Sequence, residues 1–154
     1  MRLVQQLTPF TCGLACVESV SFDLGKPITQ AELLVRYKDV LIGSAQKIEH
    51  FGAATGETIE YLLNDLGFKT SIHKDHRLNV VTDMLNGLSE NQAVLISAHF
   101  NHSTWHIVRW AGFQDQQTLL AMNPSFSLPG ATIMPYPFAD LVDWDSTLLL
   151  VTAE

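Results

Sequence analysis

Residues 6–25 read Gln6-Leu7-Thr8-Pro9-Phe10-Thr11-Cys12-Gly13-Leu14-Ala15-Cys16-Val17-Glu18-Ser19-Val20-Ser21-Phe22-Asp23-Leu24-Gly25. Leu14, Ala15, Val17, Val20, Ser21 and Leu24 recur at helical spacing, which predicts a helix opening at Cys12, with Thr11 placed to cap it and Gly25 ending it before Pro27. A thiol in the first turn of a helix faces the positive end of the macrodipole, which favours thiolate, the nucleophilic form. Cys12 is therefore a candidate nucleophile. Gly13 keeps side-chain bulk away from the helix entrance and is assigned to the substrate side. Cys16, one turn deeper on the apolar run, reads as a small core hydrophobe. In a helix the Cβ atoms of such a pair lie about 5–6 Å apart, beyond the roughly 3.5–4.5 Å of a disulfide, so both cysteines are expected as free thiols. Sparse, unpaired cysteine suits a reducing compartment, and the expected site of action is cytoplasmic.

The whole chain has 154 residues, 47% of them hydrophobic and 16% charged, with 9 Lys+Arg against 16 Asp+Glu and a net charge of −7. This describes one globular domain over residues 1–154, large enough to bury about 68–70% of its unfolded surface without a metal or disulfide staple. An acidic chain with scattered Lys and Arg has no counterion-release drive toward phosphate backbones, so nucleic acid is not an expected partner. Apolar runs such as Ala93–Ala98 are far shorter than the ~20 residues of a membrane span. Met1-Arg2-Leu3-Val4 followed by two glutamines lacks the pattern of a signal peptide. If the protein leaves its cell, it is expected to travel as cargo of a specialised secretion system or as a fragment of a larger chain.

Further along, Thr29 with Glu32 three residues on marks a capping box and a second helix that fades near Tyr37. Asp39–Gly56 contains three glycines and no sustained period, and reads as irregular or weakly helical. Ile59, Leu62, Leu63 and Leu66 form one stripe of a helix over Glu57–Leu66 that Gly67 closes with a left-handed cap. Phe68–His73 reads as a strand and Leu78–Leu85 as a short helix. Four short runs rich in Val, Ile, Leu or Trp follow: Ala93–Ala98, Trp105–Phe113, Thr118–Met122 and Thr147–Thr152. Helices first and antiparallel strands second predict an α+β fold with the helices on one side of the sheet. The Pro-rich stretch from Pro124 to Pro137 reads as a long ordered loop crossing it.

Gln6, five residues, and then Cys12-Gly13-Leu14-Ala15-Cys16 resembles the N-terminal motif of the bacteriocin-processing, double-glycine peptidases, a papain-like cysteine peptidase family. That family has an acidic residue just before the cysteine, where this chain has Thr11. Gly56 with the helix ending Leu66-Gly67-Phe68, the His-x-Val of His106-Ile107-Val108, and Asn123-Pro124 where the family has Asp-Pro extend the likeness to about residue 123. The resemblance implies a papain-like fold in which Cys12 is the nucleophile, the Gln6 amide helps form the oxyanion hole, and His106 is the base. Asn123 would orient His106, and cleavage would follow a Gly-Gly pair in a protein or peptide substrate. In a Cys/His pair the imidazole takes the thiol proton, and an asparagine oxygen can hold the ring, as in papain-like enzymes.

Six histidines compete for the base role. His106 opens a predicted strand beside Trp105, which is placed to shield the site or line the substrate groove; His102, near a polar hairpin tip with His99, comes second. His50, His73 and His76 lie in polar surroundings and are expected to be exposed. Cys12, Cys16, His99 and His102 could be assembled into a zinc set, but their spacing is not that of zinc knuckles, and no metal or cofactor is expected. Trp110, Phe113, Phe126, Phe138 and Trp144 read as core or cleft wall. Similar papain-like domains also occur as toxic effectors neutralised by an immunity protein, so an effector with such a partner is a second expectation. The alternatives are a thiol acyltransferase or deamidase, and a catalytically altered module that binds leader peptides.

Overall fold

A computed structural model describes residues 1–45, 48–74, 77–99, 105–125, 130–139 and 147–154. Helix α1 runs over Cys12–Asp23, α2 over Gln30–Arg36, α3 over Lys38–Ser44 and α4 over Gly56–Asp65, with a 3-10 turn at Ile48–His50. After β1 (Lys69–His73) and α5 (Leu78–Asn86) come β2 (Gln92–His99), β3 (Trp105–Asp115), β4 (Thr118–Asn123), β5 (Thr132–Pro137) and β6 (Thr147–Thr152).

Local chemistry accounts for most of these boundaries. Thr29 and Glu32 form the capping box that starts α2, and Thr55 caps α4 by accepting the Thr58 N–H. The chain leaves α4 through Gly67 at φ +94°, a left-handed conformation that glycine adopts without steric penalty. Helix α3 and the 3-10 turn show the Asp39–Gly56 segment to be partly helical, the second of the two expectations. Leu41 and Tyr37 sink into the core, and their burial outweighs the low helix propensity of Gly43.

The six strands form one antiparallel sheet in the order β1-β6-β2-β3-β4-β5, with the last strand of the chain inserted between β1 and β2. Strand β5 corrects the expectation of a loop across the sheet. It pairs with β4 from Thr118↔Pro137 to Asn123↔Thr132. Pro135 and Pro137 obscure this strand in the sequence, yet an edge strand tolerates proline where the missing N–H would face outward.

The helices cover both faces of the sheet, not one. Ala93, Leu95, Ile107, Leu149 and Val151 pack against α1 to α4, whereas Val94, Ile96, Val108 and Leu148 pack with Val81 and Leu85 of α5 on the opposite face. Strands apolar on consecutive residues, such as Ala93–Ile96, expose a hydrophobic surface on each side, and each side must be covered. Helix α1 is the centre of the first layer, buried continuously from Gly13 to Ser21. Fully buried residues such as Leu14, Leu33 and Leu63 each contribute about 1.5–3 kcal/mol through removal from water.

Candidate active site

Cys12 is the first residue of α1 and is half-buried; Cys16 is fully buried, and both are free thiols. Thr11 does not cap the helix with its side chain, contrary to the sequence expectation. Its hydroxyl instead accepts the Thr8 N–H at 3.1 Å and donates to the Thr8 carbonyl at 3.3 Å, closing a turn before the helix. A capping oxygen would compete for the first-turn N–H groups, and here the Gly13 N–H is turned toward the Cys12 sulfur. A side chain on Gly13 would point inward. A Cβ there would stand 2.9 Å from Ile59 Cδ1 and 3.0 Å from Ile107 Cδ1, so glycine lets α1 lie close to α4 and β3.

The histidine side of the site forms where β3 and β4 part. Their pairing reaches Arg109↔Met122, and beyond it the Ile107 peptide faces the two cysteines of α1. The Ile107 N–H donates to the Cys12 sulfur, and the Cys16 thiol donates to the Ile107 carbonyl at 3.6 Å. His106 is thereby held at the start of α1. Its Nε2 lies 2.7 Å from Asn123 Oδ1, at the end of β4, which leaves Nδ1 for the Cys12 thiol with which the ring is hydrogen-bonded.

Electrostatics follow from this geometry. Burial opposes ionisation of Cys12, but the His106 hydrogen bond and charge, with the Ile107 and Gly13 N–H groups, overcome it and hold the thiol below its ordinary value. For His106, burial disfavours the cation, yet the Cys12 hydrogen bond and charge and the Asn123 oxygen raise the ring above its ordinary value. Both directions favour transfer of the Cys12 proton to His106. Burial, with the neighbouring Cys12 charge, pushes the Cys16 thiol up, which leaves it protonated and unreactive.

Gln6 is buried beside these groups. Its backbone N–H donates to the Pro124 carbonyl at 2.9 Å, next to Asn123, and its Nε2 donates to the Thr8 carbonyl at 2.7 Å. An amide nitrogen carries two hydrogens, so one remains after the Thr8 bond. Two anchors went unmarked in the sequence reading. Gln30, buried in α2, accepts the Leu7 N–H at 3.1 Å and donates to the Gln5 carbonyl at 2.7 Å, clamping the segment that carries Gln6. Arg109 of β3 is bonded to Asp23 and, at 2.8 Å, to Ser19, tying the histidine strand to the cysteine helix. Neither has a local signal, because each works through residues distant in the chain.

Among the other histidines, His50 is half-buried against Phe10, with ring centroids 4.7 Å apart, and His73 is half-buried beside Ser71. His76, His102, Phe126 and Trp144 lie outside the described residues, and only the backbones of His99 and Trp105 are described, in β2 and β3. Phe138 is core; Trp110 and Phe113 pack partly buried against the α5 layer. No described helix is long and apolar enough to cross a membrane.

No family model and no curated protein matches the sequence. Solved structures do. The peptidase domain of Streptococcus ComA, a bi-functional ABC transporter involved in a quorum-sensing pathway, superposes with a TM-score of 0.70 at 21% identity, covering 99% of this chain and 98% of that one. The peptidase domain of Streptococcus mutans ComA in complex with a small-molecule inhibitor gives 0.63 at 16% identity, covering 99% and 100%. The fold is that of a papain-like peptidase domain.

Proposed function

We propose that this chain is a cysteine peptidase of the double-glycine, bacteriocin-processing type. The observation that carries the reading is the chain of contacts from Cys12 through His106 to Asn123 at the opening of α1. The Cys12 thiolate attacks the carbonyl carbon of the scissile bond. The developing oxyanion is met by the Cys12 backbone N–H and by the remaining hydrogen of the Gln6 amide. His106, having taken the Cys12 proton, gives it from Nδ1 to the departing amine, then takes a proton from the water that hydrolyses the acyl-enzyme. Asn123 holds the ring through Nε2 so that Nδ1 stays with the sulfur.

The substrate in this reading is a protein or peptide cleaved after Gly-Gly, the preference implied by the Gln6 and Cys12-Gly13-x-Ala15-Cys16 motif. Peptide processing is preferred over an effector role with an immunity partner because the similar structures are transporter peptidase domains. A thiolate nucleophile suits action in the reducing cytoplasm. The test is mass spectrometry of peptides carrying an extended Gly-Gly segment after incubation with the protein. Cleavage after the second glycine is expected, abolished in Cys12→Ala and His106→Ala, and slowed about 10²–10³-fold in Gln6→Ala. A mass change of one unit without cleavage would replace the peptidase with a deamidase, and tight binding of an uncut peptide would point to a binding module.

A further inference from the structure

The His106 partner in this chain is an amide, and an amide has two unlike ends. If the oxygen of Asn123 faces Nε2, the ring is held with its proton on Nε2, and Nδ1 is free to accept the thiol proton. If the amide turns over, its NH2 donates to Nε2 and holds the opposite tautomer, with the proton already on Nδ1, and the ring can no longer take the proton of Cys12. A carboxylate at this position would present oxygen either way. Something else must therefore choose the orientation here.

That choice falls to the edge strand β5. Asn123 Nδ2 donates to Met134 Sδ at 3.4 Å. Thioether sulfur accepts hydrogen bonds and donates none, so only the NH2 end of the amide can face it. Tyr136 lies on the same face of β5, but a hydroxyl both donates and accepts and so does not discriminate between the two ends. Met134 is 39% exposed, which makes packing a minor part of what its side chain does. Resting on the Cys12–His106 reading above, we infer that Met134 is a positioning residue for the nucleophile pair: its sulfur fixes the Asn123 amide with the oxygen toward His106.

The test is a double-mutant comparison of Met134→Leu, which keeps the size and removes the acceptor, in the native background and with Asn123→Asp, which has no amide to orient. Two readouts are used: alkylation of Cys12 by iodoacetamide at pH 5, followed by peptide mass, and the downfield NMR signal of the His106 Nε2–H. With Asn123 present, M134L is expected to slow alkylation about two- to five-fold, the size of one weak hydrogen bond, and to weaken the N–H signal. With Asn123→Asp, M134L should produce no loss in either readout, because carboxylate oxygens are equivalent. Unchanged readouts in the native background, or equal losses in both backgrounds, overturn the inference. An unperturbed Cys12 thiol in the native protein would defeat the peptidase reading instead, while the Nε2–H signal would still decide the role of Met134.

Discussion

Cys12 and Cys16 lie four residues apart on one helix, yet their chemistry is opposite. The depressed thiol of Cys12 predicts that iodoacetamide at mildly acidic pH modifies it first, while Cys16, buried and pushed up, stays unmodified until the fold opens. Peptide mapping checks this, and preferential labelling of Cys16 would overturn it. Activity should have two limbs. It rises as pH passes upward through the lowered Cys12 value, where thiolate forms, and falls as pH passes through the raised His106 value, where the imidazolium is lost. Replacing Asn123 by Asp adds a negative charge beside the ring, favours the imidazolium further, and should move the alkaline limb to higher pH in a pH–rate profile. Asn123→Ala should instead lower the rate about 10–100-fold, because it removes orientation rather than a proton carrier.

The decisive element contact is that of α1 with α4 and β3, which Gly13 makes possible. Gly13→Ala brings a Cβ against the ends of Ile59 and Ile107, overpacking expected to destabilise the fold by about 1–3 kcal/mol in denaturant unfolding. The same strain lifts Cys12 away from His106, so acidic-pH alkylation should fall with it. Adding Ile59→Val removes the closest methyl and should restore part of both; no recovery in the double variant would count against this packing account. Arg109→Met, which severs β3 from Asp23 and Ser19, should destabilise by roughly 1.5–3 kcal/mol, the range for hydrogen bonds to a charged group. Helices α1, α2 and α4 were legible because their periodicity and caps are local. Strand β5 was not, since its prolines argue against a strand until β4 provides the inner partner. Helix α3 was only weakly marked, because its stabilising burial comes from residues elsewhere in the chain.

At the scale of the whole molecule the sheet separates two cores, with Cys12 packed against the layer of α1 to α4 and α5 closing the other. Leu85→Ala in α5 should therefore cost about 2–5 kcal/mol by opening a cavity, yet leave Cys12 alkylation in the folded protein unchanged. Thermal unfolding together with labelling below the transition checks the separation, and a matching loss of thiol reactivity would show the two layers to be coupled. Sequence by itself determined the candidate nucleophile, the helix that presents it, most of the strands and the candidates for base and orienter. These are properties of near neighbours in the chain: helical period, capping residues, alternation and a short motif. Only the tertiary structure decided that both faces of the sheet are covered and that Gly13 faces the core. It also decided that Gln30 and Arg109 anchor the site and that Met134 meets the Asn123 amide. Each of those depends on strand pairing or helix packing between residues far apart in the chain, where no local pattern records which surfaces will meet.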